Sequence, residues 1–230
     1  MKTIGLLGGT GWESTGEYYK IINQEISQRR GKEHSAKIIL FSVDFFEIST
    51  RINNNDFDNL GKYLTDIAKE IENAGADCLV VCANTLHIFA EQISNIISIP
   101  LIHITDETAL VIKNNTMNKV GLLGTRPTME MKFYKDRLKE KHAIEVITPK
   151  KQDIDHIHQI ITQELLHGII NSSSKKYLIS VMEDLTQNGA QCIILGCTDF
   201  SLLVKQQDTQ IKLFDTTEIH AKAAVYFAIS

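Results

Sequence analysis

The sequence predicts an α/β protein of two pseudo-symmetric lobes, each a parallel sheet flanked by helices. Three observations carry that prediction. Short apolar runs alternate with stretches of helical periodicity along the whole chain, the pattern of repeated β–α–β units. A constant offset of 114 places Leu64, Ile67 and Ile71 on Leu178, Val181 and Leu185, Gly75-Ala76 on Gly189-Ala190 and Cys78 on Cys192. Stripe, glycine stop and following strand therefore coincide without a gap. Finally, two apolar runs end in polar residues: Leu79-Val80-Val81-Cys82 leads into Ala83-Asn84-Thr85, and Cys192-Ile193-Ile194-Leu195 into Gly196-Cys197-Thr198-Asp199. Open α/β sheets place their ligands at such carboxyl edges. Lobe 1 is expected to take residues 1–105 and 216–230, with the C-terminal helix packed back on it, and lobe 2 residues 106–215. The same offset sets Ala83, Asn84 and Thr85 opposite Cys197, Thr198 and Asp199, so the two turns are expected to line one cleft.

Element by element, Thr3–Leu7 reads as a strand running into Gly8-Gly9-Thr10-Gly11. Ser14 to Glu17 fits a capping box, ahead of a helix carrying Tyr18, Ile22 and Ile26 up to Gly31. Ala36–Val43 is a second strand, and Arg51–Asp56 a loop or helix entrance. Leu60, Leu64, Ile67 and Ile71 stripe a helix ending at Gly75. Strand 78–82 precedes a helix with Ile88, Phe89 and Ile93, then a strand Pro100–Ile104 and a helix opened by Asp106-Glu107-Thr108. At Lys119–Thr125 the chain starts again, Val120-Gly121-Leu122-Leu123-Gly124 repeating Ile4-Gly5-Leu6-Leu7-Gly8. Thr128 is the candidate cap of a helix with Met131, Phe133 and Leu138. A strand Ile144–Ile147 and a helix through Ile157, Ile160, Ile161 and Leu165 to Gly168 follow.

Composition narrows the function. The 230 residues are 43% hydrophobic and 23% charged, ordinary for a protein with a real core, and the net charge of −4 argues against nucleic acid as a partner. No apolar run approaches the ~20 residues that span a bilayer, and the N-terminus lacks a signal-peptide core, so a cytoplasmic protein without a membrane partner is expected. Four cysteines in such a chain predict free thiols rather than a disulfide framework. No His-Cys set has zinc spacing, so no metal is expected. Gly8-Gly9-Thr10-Gly11 has neither dinucleotide nor P-loop spacing. Its glycines suit close approach of backbone to a small ligand.

Cys197 is the sharpest chemical candidate. A thiol between strand and helix is expected to have its pKa lowered by helix N–H groups, fitting it for acid–base or nucleophilic work. Cys78 and Cys192, within strands, suit a packing role. Asn84, Thr85 and Thr198, with nearby N–H groups, offer a cradle for a carboxylate, or simple helix caps. Arg51 and Arg126 are candidate carboxylate clamps or surface residues. His87 and His103 are acid–base candidates whose ordinary role is structural.

These residues resemble a known family. Gly8-Gly9-x-x-Trp12-Glu13-Ser14-Thr15, Ser42-Val43-Asp44-Phe45, Asn84-Thr85-x-His87, Leu123-Gly124-Thr125-Arg126, Gly196-Cys197-Thr198 and the tail Phe214-Asp215-Thr216-Thr217-x-Ile219-His220-Ala221 are similar to the aspartate/glutamate racemases, nearest the aspartate and broad-specificity branch. The resemblance implies an amino-acid racemase that needs no cofactor and no PLP and is often a homodimer, acting on a small amino acid or related carboxylic acid. Two residues would flank the substrate Cα, one removing and one returning its proton. Cys197 matches one. Asn84, Thr85 and Thr198 are expected to bind the substrate, as are Arg51 and two residues that depart from the family's usual ones, Thr10 (with Gly11, where Met-Ser is frequent) and Asp199 (where Glu is frequent). Position 83, the other proton carrier, is alanine here, whose methyl group transfers no proton. Cys82 is expected on the opposite face of its strand. A single-cysteine decarboxylase or isomerase, or a silent amino-acid-binding protein, is the alternative.

Overall fold

The computed structural model describes all residues from Met1 to Ser230. They divide into two compact units, Met1–His103 with His220–Ser230, and Ile104–Ile219.

The first unit contains β1 (Ile4–Gly8), α1 (Trp12–Arg30), β2 (Ile38–Ser42), α2 (Phe45–Asn53), α3 (Phe57–Asn73), β3 (Cys78–Val81), a 3-10 turn (Thr85–Phe89) and α4 (Ala90–Ser94). Its sheet is parallel, in the order β2-β1-β3, with Ile4 opposite both Ile38 and Cys78. Being central, β1 is buried along its whole length, as its unbroken apolar composition requires. Side chains alternate between two layers: Leu7, Leu79 and Val81 pack with Leu60, Leu64, Ile67 and Ile71 of α3, while Ile4, Leu6, Val80 and Cys82 pack with Tyr18, Ile22 and Ile26 of α1.

The second unit contains α5 (Ile104–Asn114), β4 (Lys119–Gly124), α6 (Arg126–Glu130), α7 (Lys132–His142), β5 (Glu145–Ile147), α8 (Lys151–Gln163), α9 (Ser172–Gln187), β6 (Cys192–Gly196), α10 (Phe200–Leu203), β7 (Leu213–Asp215) and the start of α11 (Thr216–Ile229). The rest of α11 belongs to the first unit and supplies Ala221, Ala224, Val225 and Ala228 to its α1-side layer. The second sheet is also parallel, in the order β5-β4-β6-β7, with Val120 opposite Cys192 just as Ile4 is opposite Cys78. The repeat seen in the sequence is therefore a repeat of strand register. Its glycines repeat for one reason: a Cβ on Gly5 would lie 2.3 Å from Ile71 Cγ2, and one on Gly121 2.5 Å from Ile193 Cδ1.

Several boundaries differ from the sequence expectation. There is no capping box at Ser14: α1 begins earlier, at Trp12, with Gly11 as N-cap. The hydroxyls of Ser14 and Thr15 both donate to Gly11 O, and Gly9 N–H donates to Thr15 Oγ1. Thr125, not Thr128, caps α6, and the expected helix through Met131 is broken there, α7 starting at Lys132. Pro100–Ile104 forms no strand; a single bridge joins Leu101 to Leu79, and the chain turns into α5 at Ile104. Cys78 and Cys192 open their strands instead of lying mid-strand.

Candidate active site

In the second unit the four residues after β6 are buried, and Cys197, Thr198 and Asp199 are at most 6% exposed. The chain makes one tight turn there, with Phe200 N–H donating to Cys197 O and Leu202 N–H to Asp199 O, both at 3.1 Å. The turn brings two chemically active side chains together: Cys197 S–H donates to Asp199 Oδ2 at 3.6 Å. The start of α11 braces this edge, Thr216 Oγ1 donating to Leu195 O at 2.8 Å.

The thiol differs from expectation in its acidity. Burial, and next the Asp199 carboxylate, push Cys197 well above the ordinary thiol range, outweighing the N–H groups of Asp199 and Phe200 that pull it down. The helix beyond is only the four residues Phe200–Leu203, so no long run of peptide dipoles activates the sulfur. The site therefore holds a neutral thiol in contact with the Asp199 side chain.

In the first unit the chain leaves β3 through Cys82, Ala83 and Asn84. Cys82 is fully buried in the α1-side layer, and burial pushes its thiol far up, whereas Ala83 packs on the α3 side. β3 ends at Val81, and the side chains of Cys82 and Ala83 just beyond it pack into different layers. Asn84 is 3% exposed and precedes the 3-10 turn, and Thr85 is half-buried as its first residue. Neither Asn84 nor Asp199 makes a side-chain cap to the turn that it precedes, so capping does not account for them.

Thr10 is half-buried in the β1–α1 turn. Gly9 has φ +93 there, and a Cβ on it would lie 2.3 Å from Val43 O, so the turn lies directly against the β2–α2 connection. Arg51, in the last turn of α2, donates from Nη1 to Glu47 O at 2.7 Å and stacks 4.5 Å from the Tyr63 ring centre. Arg126 at the start of α6 is held by Asp155, Nη2 to Oδ1 at 2.9 Å.

Two features escaped the sequence reading. Asp215, at the end of β7, accepts from the N–H groups of Thr217 and Glu218, and burial nevertheless pushes its carboxyl up to about 6. His87, His103, His220 and Tyr18 form one buried assembly of rings, with centroid separations from 4.7 to 5.7 Å. Its members lie up to 202 residues apart, so no window of sequence contains it; the sequence singles out His87, His103 and His220 separately but not their assembly.

The chain thus carries a parallel α/β fold built twice, with a thiol–carboxylate pair ending a strand of the second unit, and its relatives make it an isomerase of the racemase class. The family model for Asp/Glu/Hydantoin racemase matches residues 7–224, and the chain belongs to that family. It is 27% identical over 228 residues, 96% of each chain, to the broad specificity amino-acid racemase RacX of Bacillus subtilis. Among solved structures it is similar to a candidate Asp/Glu racemase from Yersinia pestis (47% identity, TM-score 0.93, all of both chains). It is also similar to an aspartate racemase homologue from Pyrococcus horikoshii (33% identity, TM-score 0.85, all of both chains).

Proposed function

We propose that the chain is a PLP-independent racemase-type isomerase of a small acidic or polar amino acid, with Cys197 exchanging the Cα proton. Asn84, Thr85 and Thr198 hold the α-carboxylate, Asp199 shuttles the proton of Cys197, and Thr10 and Arg51 contact the rest of the substrate. The observation that carries this reading is the 3.6 Å contact between Cys197 Sγ and Asp199 Oδ2 at the end of β6. It supplies a proton donor and an acceptor in line, as general acid–base exchange requires. A bound α-ammonium group would offset the Asp199 charge and ease ionisation of the thiol.

Position 83 carries no exchangeable proton, so the proposed enzyme exchanges Cα protons on one face faster than it inverts them. Three further features belong to the proposal. No lysine is buried, which favours chemistry without a PLP Schiff base. No helix is long and apolar enough to cross a membrane, and the net charge is −4, in keeping with a cytoplasmic site of action without nucleic acid. Trp12 and Phe46 are 70% and 73% exposed, in keeping with a homodimer.

The test is incubation of each enantiomer of aspartate, glutamate and a panel of other amino acids in deuterated water, followed by NMR of Cα and chiral chromatography. Deuterium uptake that Cys197→Ser abolishes is expected. Neither exchange nor inversion across the panel would remove the racemase reading. Ala83 also favours a second reading, a single-cysteine decarboxylase or isomerase of a small carboxylic acid, in which one thiol delivers one proton to a carbanion. Carbon dioxide release from substituted malonates distinguishes it. Thermal stabilisation by an amino acid without turnover would instead mark a silent binding protein.

A further inference from the structure

In the second unit, the helix that follows β4 is too short to hold itself in place. α6 has five residues, Arg126–Glu130, fewer than an isolated helix needs, yet it carries part of the layer that buries Cys197. Met129 of α6, Ile154, Ile157 and Ile161 of α8 and the Cys197 side chain belong to one apolar cluster. α6 also sits directly on the strand ends. Gly124 pairs with Gly196, and a Cβ on Gly124 would lie 2.9 Å from Thr128 Cγ2 and 2.8 Å from Gly196 O. A Cβ on Gly196, the residue before Cys197, would lie 3.4 Å from the same Thr128 methyl. Where α6 sits therefore decides how Cys197 is covered.

α8 grips α6 at both ends through Lys151, Asp155 and His158, which the i, i+4, i+7 spacing puts on one helix face. Lys151 Nζ donates to Glu130 Oε1 at 2.6 Å, and Arg126 Nη2 to Asp155 Oδ1 at 2.9 Å. The Arg126 backbone N–H donates to His158 Nδ1 at 3.4 Å. Both ion pairs have side chains at least 36% exposed, and such pairs contribute little. His158 is half-buried and holds main chain, which fixes the start of the helix itself. An imidazole nitrogen accepts only when it carries no proton, so the His158 proton is on Nε2. Burial, and next Arg126, lower its pKa against the pull of Asp155 and Glu130, so the accepting form prevails at neutral pH. We infer that His158 is a positioning residue for the Cys197 turn: while neutral it holds α6 against the strand ends, and protonation of Nδ1 releases α6 and uncovers the thiol. The protonated ring has no acceptor, and it repels both Arg126 and Lys151. His158 acts on the thiol itself, whatever substrate Cys197 meets, and so independently of the racemase reading.

The experiment compares wild type, His158→Asn and His158→Leu by nitrogen NMR of the imidazoles and by labelling of Cys197 with dipyridyl disulfide, followed by mass spectrometry. That reagent still reacts with thiols in acid, so the rates can be followed through the imidazole titration. Asparagine keeps an acceptor where Nδ1 stands and does not titrate; leucine removes the acceptor. Neutral wild-type His158 is expected to carry its proton on Nε2. At neutral pH His158→Asn is expected to label within about twofold of wild type and His158→Leu about fivefold faster, the worth of one hydrogen bond. The ratio of wild type to His158→Asn, in which thiol ionisation cancels, is expected to rise about fivefold as His158 protonates. Cys192, fully buried in the same unit, is the control, because a general loss of stability would expose it too. An Nδ1–H tautomer, a folded His158→Leu that labels like wild type, or Cys192 labelling that rises in step with Cys197 overturns the inference. If His158→Leu does not fold, the ratio of wild type to His158→Asn decides: a rise supports the inference, and a flat ratio overturns it.

Discussion

Replacing Asp199 with asparagine isolates the interaction at the centre of the candidate site. The carboxylate raises the Cys197 pKa twice over, by repelling the thiolate and by accepting the S–H bond of the neutral form. At the observed 3.6 Å, two unit charges interact by about 4–5 kcal/mol at an effective dielectric of ~20, and by about 1 kcal/mol at that of bulk water. Removing that charge is therefore expected to lower the thiol pKa. Burial, the larger cause of the elevation, stays in place, so the thiol is expected to fall towards the ordinary thiol range without passing far below it. The assay is thiolate absorbance against pH, taken as the difference between Asp199→Asn and Asp199→Asn/Cys197→Ser. The other thiols do not interfere, since burial holds Cys78 and Cys192 at about 12 and Cys82 higher still. On the proposed reading, the acid limb of Cα exchange moves to lower pH by the same amount, while the rate on the plateau drops because the proton acceptor is gone. A Cys197 pKa that stays put or rises would refute the coupling, and with it the account of the thiol–carboxylate pair.

Restoring a proton carrier at position 83, by Ala83→Cys or Ala83→Thr, is expected to raise inversion relative to one-sided exchange by at least tenfold, within the ~10²–10⁴ that a positioned acid–base group contributes; an unchanged ratio by chiral chromatography would disprove the vacancy. Asp215 makes stability depend on pH. Its folded-state carboxyl sits at about 6 against an ordinary 3.8, so its protonated form is favoured on folding, and its contribution is present below 3.8 and lost as pH rises through 6. That amounts to roughly 3 kcal/mol between those limits. Asp215→Asn, which keeps a capping side chain, is expected to flatten the change in urea midpoint from pH 4 to pH 7 on the order of that amount. Tyr18→Phe removes the hydroxyl that bonds His220 Nδ1 at 2.9 Å and is expected to cost about 1–2 kcal/mol in urea unfolding, with no cavity.

What was legible in the sequence follows the range of the forces involved. Strand and helix alternation, the stripe of α3 and its copy in α9, and the restart at β4 are local periodicities, and each corresponds to an observed element. Errors arose where a distant contact outweighed the local signal. Ser14-x-x-Glu17 has the spacing of a capping box, but Gly9 N–H takes Thr15 Oγ1 and the helix starts sooner. Leu101-Ile102 has strand composition, yet only one bridge to Leu79 forms before α5 begins. The acidity of Cys197 was misjudged because burial and the fold of Asp199 back onto the sulfur are not written in the spacing of the two residues. The histidine assembly needed α1, the 3-10 turn and α11 to be brought together first.

Comparing the two copies of the repeat shows what duplication preserved and what it did not. Strand register is the same in both, Ile4 with Cys78 and Val120 with Cys192, so the backbones reach their polar turns in equivalent ways. The side chains there diverge. After β6 stand a thiol and a carboxylate in contact; after β3 stands a methyl group whose own carbonyl is held by a histidine. On the proposed reading, backbone donors at the first turn hold the carboxylate and Cys197 at the second moves the proton. If both act on one substrate, the first orients and the second reacts, and one-faced exchange must outrun inversion. The ratio of those two rates, not the size of either, is therefore the quantity that reports whether the asymmetry of the repeat is functional.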